Sequence, residues 1–128
     1  MIDVTCAIII RDGLILAVQR SERMKHPLKW EFPGGKVESG ESAETCIMRE
    51  LKEELHIEVE ILRVLSPVEF HYSEKSIRLI PFEVTLLSNE IILKEHSRLK
   101  WLNVTGLSDL DWLPADVLVI EQYLKLKK

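Results

Sequence analysis

The chain has 128 residues, long enough for one domain with a substantial core. Hydrophobic residues make up 46% and charged residues 30%, with 17 basic against 21 acidic side chains and a formal net charge of −4. That balance argues against a non-specific nucleic-acid surface, so no nucleic acid polymer is expected as a partner, while local cations stay available for a small phosphate ligand.

Val4 to Ile10 and Leu14 to Gln19 read as two strands joined at Arg11-Asp12-Gly13, since Asp-Gly between apolar runs is a strong hairpin signal. The same break interrupts the apolar run from Ala7, and no basic stretch precedes it, so neither a signal peptide nor a membrane span is expected. A cytoplasmic place follows, with Cys6 and Cys46 as buried thiols at apolar-patterned positions. Ser21 to Lys29 is polar and irregular and reads as a loop. Trp30-Glu31-Phe32 is a short strand stopped by Pro33-Gly34-Gly35, which reads as a bend. Lys36 to Glu41 is a second irregular stretch. Ser42 is a good N-cap for a helix running to about Leu55, with Glu44 in its first turn.

Beyond the helix, Ile57–Leu65, Val68–His71, Ile77–Leu86, Ile91–Leu93 and Leu99–Val104 are rich in β-branched and aromatic residues and read as strands. Ser73-Glu74-Lys75-Ser76 reads as a hairpin tip. Pro114 opens a last helix at its favoured first-turn position, with an apolar stripe of Val117, Ile120 and Leu124 and a basic end at Lys125, Lys127 and Lys128. The order β-β-loop-α-β-β-β-β-α implies an α/β fold, a mixed sheet covered by two helices. No linker divides the chain, so residues 1–128 are expected to form a single domain.

Charge is concentrated in Arg49-Glu50-Leu51-Lys52-Glu53-Glu54. At 100° per residue, Glu50 falls between Cys46 and Ala43, and Glu54 between Ala43 and Ile47. Two carboxylates therefore lie on the stripe that should face the core, with Glu53 at its edge and Arg49 one turn behind. Partly buried, mutually repelling carboxylates are costly unless a cation offsets them. A hard divalent ion with oxygen ligands suits them. The glycines at 34 and 35 let a ligand approach the main chain, and a carbonyl there can complete a cation's shell.

The spacing is specific: Gly35, five residues, Glu41, seven residues, Arg49-Glu50-Leu51, one residue, Glu53-Glu54, one residue, His56-Ile57. It resembles the signature of the Nudix hydrolases, with the Nudix box at 35–57. The pattern departs once, at His56, where the family usually has glycine. A left-handed residue is common just past a helix, and histidine reaches that region more readily than most. Trp30 to Glu38, Lys94-Glu95-His96 and Leu113-Pro114-Ala115-Asp116 look like the MutT branch, the nucleoside triphosphate pyrophosphohydrolases.

The resemblance implies a Nudix α/β/α sandwich, a mixed curved sheet between two helices. It also implies cleavage of a nucleoside triphosphate to monophosphate and pyrophosphate, with water attacking the β-phosphorus. Mg²⁺ is the implied cofactor, with Mn²⁺ able to substitute. The family's metal-binding glutamates match Glu50, Glu53 and Glu54, with the Gly34 carbonyl as a further ligand. The family also makes Glu50 a candidate base, oriented by Arg49. Glu95 matches a second-site acid that can bind metal or take the proton from water. Glu41 is expected to orient its loop by bonding the helix end. Arg20 and Lys36 are candidates for phosphate, Phe32 and Tyr72 for stacking on the base, and Gly34 and Gly35 for contact with substrate. Trp101 and Trp112 read as structural.

Asp116 is expected beside the base. The MutT proteins that act on oxidised guanine nucleotides place asparagine there, which donates and accepts together. Ionised aspartate only accepts, so it suits an exocyclic amine such as N4 of cytosine. CTP, dCTP or a modified cytosine nucleotide is the expected substrate, with 8-oxo-dGTP as the alternative. A hydrolase of ADP-ribose or a dinucleotide is a second alternative, whose branches usually carry extra segments. An inactive nucleotide-binding module is a third, but it predicts a damaged glutamate cluster. The partner is thus a small-molecule nucleotide, with no membrane, and monomer and homodimer both remain open.

Overall fold

A computed structural model describes residues 1–127. Asp12 and Gly13 both take positive φ, 52° and 75°, and close the expected hairpin between β1 (Ile2–Arg11) and β2 (Leu14–Gln19). The two strands pair only near the turn, at Ile10↔Ile15 and Arg11↔Leu14. Beyond that they part. β3 (Trp30–Glu31) joins β2, and β4 (Gly34–Lys36) lies antiparallel on β1 at Val4–Cys6.

β4 corrects the reading of Gly34-Gly35 as a plain bend. Both glycines are in a strand, for reasons of close approach. A Cβ on Gly34 would stand 2.1 Å from the Thr5 carbonyl oxygen, so only glycine lets this backbone lie against β1.

Helix α1 (Ala43–Leu55) follows. The Ser42 side chain accepts from the Thr45 N–H at 3.1 Å, satisfying one of the free donors of its first turn. The helix ends on His56 in the left-handed region, φ 58°, as the glycine-like position requires. Strands β5 (Val59–Val64), β6 (Val68–His71), β7 (Ser76–Leu86) and β8 (Arg98–Leu102) complete the sheet, and α2 (Pro114–Leu126) closes the chain. The centre is a parallel pair, β1 on β7, from Ile2↔Ile77 to Ile10↔Thr85. The sheet runs β3-β2-β1-β7-β5, with β8 also on β2 and β6 also on β7.

The alternation of side chains along β1 and β2 builds two cores. Cys6, Ile8, Ile15 and Ala17 face α2, packing with Ala115, Val119 and Tyr123. Ala7, Ile9, Leu16 and Val18 face α1, packing with Ile47, Leu51 and Leu55. One helix on each face of a mixed sheet is the expected α/β/α sandwich.

Three expectations need correction. Ile91–Leu93 is not a strand: Ile92 and Lys94 donate their N–H groups to the Leu55 and Glu54 carbonyls at 3.0 and 3.2 Å. The open carbonyls of the α1 terminus take the bonds a strand neighbour would have supplied. The strand expected to reach Val104 stops at Leu102, because Asn103 accepts from the Gly106 N–H at 2.9 Å and caps a 3-10 helix over Val104–Asp109. In α2 the inward residues are Ala115, Asp116, Val119, Ile120 and Tyr123, while Val117 is exposed. The 115-119-123 and 116-120 rows define one helix face, and 117 lies off it. Lys125 occupies the last turn and Lys127 its cap. Lys128 lies outside the described residues.

Cys6 and Cys46 are buried free thiols. Among the described residues no helix is long and apolar enough to cross a membrane.

Candidate active site

Arg49 sits at the centre of the polar side of α1. Its Nε and Nη2 donate to the two oxygens of Glu41 at 2.7 and 3.0 Å, and Nη1 donates to Glu50 at 2.9 Å and to Glu53 at 3.1 Å. Nη2 also reaches the Lys36 carbonyl at 3.2 Å. The two-pronged Arg49–Glu41 pair fixes the guanidinium plane, and its hydrogen bonds hold the Glu41 carboxyl down to about 2. Glu41 also accepts from the Glu38 N–H at 3.0 Å. It therefore orders its loop through Arg49 and Glu38, not through the helix end as expected. Ser42 already serves that end.

The three helix glutamates differ. Glu50 is mostly covered, its side chain 16% exposed. Burial pushes its carboxyl up, Arg49 works against that, and the charges of Glu53 and Glu95 add to the rise. Glu54 accepts from the Gly34 N–H at 3.2 Å. Burial, then the charges of Glu31 and Glu50, push it up to about 9. Glu53 is 59% exposed and rests on Arg49. Glu95 is exposed on the connection after β7, and its charge raises both Glu50 and Glu54. Among the described residues, no three acidic, histidine or cysteine side chains converge as a ready cage for a metal. Of the three helix glutamates, Glu53 is turned toward Arg49, 3.1 Å from its Nη1.

Gly35 stands against Glu50. A Cβ there would lie 2.1 Å from its Oε2, so the glycine is what lets the carboxylate press on β4. Gly34 links this cluster to a cavity of about 350 Å³ on the other side of the strand. Phe32, Tyr72, Arg20, Glu31 and Asp116 line it. Phe32 packs on Trp112 with ring centroids 4.8 Å apart, and its N–H donates to Asp116 Oδ2 at 2.8 Å. The Tyr72 hydroxyl accepts from the Ala115 N–H at 3.2 Å. Asp116 is buried, and burial followed by the charge of Glu31 pushes its carboxyl well above the usual range. Arg20 donates to Glu31 at 2.9 Å and to the Lys25 carbonyl at 2.6 Å. Lys36 does not join this group: its side chain is exposed and does not line the cavity.

Trp112 is buried, as expected of a structural tryptophan. Trp101 is partly covered, with Arg11 stacked 4.5 Å above its ring. Sequence reasoning missed Glu31, whose charge acts on both Glu54 and Asp116, and its partner His96. The available signal was the acid between two aromatic residues in Trp30-Glu31-Phe32: on a strand it must face away from the buried Trp30.

The family model of the NUDIX domain matches residues 1–123. The chain is a Nudix hydrolase. This Nudix hydrolase is 35% identical over 127 residues to the CTP pyrophosphohydrolase of Escherichia coli K12, covering 99% of this chain and 94% of that protein. It is 34% identical over 98 residues to the 8-oxo-dGTP diphosphatase of the same organism, covering 77% and 76%. The crystal structure of a MutT protein from Methanosarcina mazei superposes with a TM-score of 0.89 at 28% identity, covering 99% of this chain and 95% of that one. Family and fold are thus those the resemblance implied.

Nudix hydrolases act on small nucleotides and generally use divalent metal ions. The donor set here fits such an ion. It consists of hard carboxylate oxygens, and Glu54 held at about 9 marks a site short of positive charge.

Proposed function

We propose that this Nudix hydrolase cleaves a nucleoside or deoxynucleoside triphosphate to the monophosphate and pyrophosphate, with Mg²⁺, and that its base is of the cytosine type. The observation that carries the reading is the adjacency of two unlike environments across Gly34: crowded carboxylates on one side, an aromatic-lined cavity ending in Asp116 on the other. A triphosphate has the matching asymmetry, a polyanionic tail and a flat polar base.

Glu50, Glu53, Glu54, Glu95 and the Gly34 carbonyl would hold the metal. When bound, it neutralises phosphate charge and lowers the pKa of a ligated water. Glu53 must leave Arg49 to take part, and its exposure allows that. Arg49 keeps Glu50 oriented as the acceptor of the water proton. Water attacks the β-phosphorus, the bond to the oxygen bridging the α- and β-phosphorus breaks, and the monophosphate departs. Phe32 and Tyr72 flank the base, and Arg20 is close enough to the cavity to meet phosphate. Most of the catalysis is electrostatic positioning, as in other phosphoryl transfers.

The cytosine assignment is supported by the likeness to a CTP pyrophosphohydrolase over nearly the whole chain. One observation favours 8-oxo-dGTP as the second reading. Burial raises Asp116, and a protonated carboxyl donates and accepts like the amide of asparagine. A panel of dCTP, CTP, 5-methyl-dCTP, 8-oxo-dGTP and ADP-ribose with Mg²⁺ tests both. Pyrophosphate from the cytosine nucleotides is expected. Preference for 8-oxo-dGTP establishes the second reading, and AMP from ADP-ribose alone overturns both.

A further inference from the structure

One buried side-chain pair at the junction of the two environments, Glu31 and His96, has no part in that chemistry. His96 Nε2 lies 2.8 Å from Glu31 Oε2, its side chain wholly buried and Glu31 15% exposed. Glu31 Oε1 accepts from Arg20 at 2.9 Å, and Arg20 is held in turn by the Lys25 carbonyl at 2.6 Å. His96 Nδ1 is buried and has no hydrogen-bond partner among the described residues. A ring kept only for packing would be better replaced by an apolar side chain, which leaves no polar atom stranded. The histidine is explained by the bond its other nitrogen makes.

What that bond restrains is the connection between β7 and β8, residues 87 to 97, which carries Glu95. Its main chain is tied on one side of Glu95 by the Lys94 N–H to the Glu54 carbonyl, 3.2 Å, and on the other by the Ser97 N–H to the Gln19 carbonyl, 3.0 Å. Glu95 itself is exposed and makes no hydrogen bond that would set its direction among the described residues. His96, next in the chain, is the side chain that enters the protein. We propose that the buried Glu31–His96 pair is a positioning device: it pins the connection carrying Glu95 beside the carboxylate cluster, and Arg20 braces it from the cavity. Glu31 and His96 are positioning residues, acting through Glu95. The kinetic part rests on the reading of Glu95 as an acid of the pyrophosphohydrolase site.

The test uses the full chain with His96→Phe, which keeps a ring and removes the bond, and His96→Gln, which keeps a donor. With Mg²⁺ and the best nucleotide of the panel, His96→Phe should lower kcat at least about tenfold, since a misplacement of about 1 Å can cost roughly a hundredfold. KM should change little, and His96→Gln should recover part of the loss. In a Glu95→Gln background, His96→Phe should cost nothing further, because two residues acting as one unit are not additive. An unchanged kcat, or the same loss in both backgrounds, overturns the proposal. Amide exchange of the metal-free chain gives a second readout. His96→Phe should speed exchange at Lys94 and Ser97 at least about tenfold and leave α2 unchanged. Unchanged protection at both amides overturns the tether. If the unsubstituted chain cleaves no nucleotide, the pyrophosphohydrolase reading fails, and amide exchange alone decides the tether.

Discussion

Two carboxylates on opposite sides of β4, Glu54 and Asp116, are both pushed up by burial and by the charge of Glu31, yet they answer to different needs. Glu54 is in a crowd: Glu50 and Glu95 add to its rise, and its carboxylate accepts from the Gly34 N–H. Asp116 shares its site with Phe32, Tyr72 and Cys6, and with a Glu31 whose charge is met by Arg20 at 2.9 Å. A crowd of carboxylates is relieved by a divalent cation. A buried carboxyl with no cation beside it is relieved by a donor, here the Phe32 N–H, or by taking up a proton. In the proposed reading, the same desolvation suits a metal site on one side of the strand and a base-reading group on the other.

The largest break in this comparison should come from the metal side. Glu53→Gln is expected to cut turnover at least about a hundredfold through loss of charge at the site, measured as kcat with Mg²⁺. Normal turnover would remove Glu53 from the proposed set.

The two glycines should separate next. In Gly35→Ala the new Cβ meets the end of a flexible side chain, Glu50 Oε2 at 2.1 Å, so the chain should fold with its carboxylate displaced. Turnover should fall at least about tenfold with base preference retained. In Gly34→Ala the Cβ meets the Thr5 carbonyl oxygen at 2.1 Å, which is backbone, and the loss should register in thermal unfolding. Equal stability of the two variants would contradict the close packing of β4 on β1.

The pH dependence bears on Glu54 together with Glu50 and Asp116, which burial shifts in the same direction. The Glu54 carboxyl stands at about 9 in the folded chain against an ordinary 4.5. Between those values the unfolded chain has lost the proton and the folded chain retains it, so the folded state binds more protons and stability falls as pH rises. The metal-free protein should lose on the order of several degrees of Tm across this range. Glu54→Gln should make the profile shallower, leaving the part that Asp116 and Glu50 contribute. Mg²⁺ competes with the proton, so its stabilising effect should grow with pH. A flat profile in the metal-free parent chain would show that Glu54 is not forced to stay protonated.

Asp116→Asn should give the smallest effect and the sharpest one for substrate. If the ionised aspartate discriminates, the kcat/KM ratio of 8-oxo-dGTP to dCTP should rise about tenfold or more, as expected for one well-placed hydrogen-bonding group. An unchanged ratio is the outcome expected of a protonated carboxyl, which already presents the amide pattern.

Much of this protein is written in local pattern. The Asp12-Gly13 turn, the Ser42 cap and the left-handed end at His56 are set by residues a few positions apart. The placement of Glu50 and Glu54 on the inner stripe of α1 follows from helical periodicity. The spacing through Arg49 and the glutamates was enough to name the family. What local pattern could not decide was which neighbours a segment would meet. Gly34-Gly35 has the composition of a turn and lies in a strand on β1, where the Thr5 carbonyl leaves no room for a Cβ at 34 and the Glu50 carboxylate none at 35. Ile91–Leu93 has the composition of a strand and stays irregular because the end of α1 takes its N–H groups. Glu31 and His96 meet across 65 positions of sequence, and Asp116 meets the Phe32 N–H across 84. Hydrogen bonds and burial depend on distance in space, and at those separations only the packed sheet and its two helices set that distance.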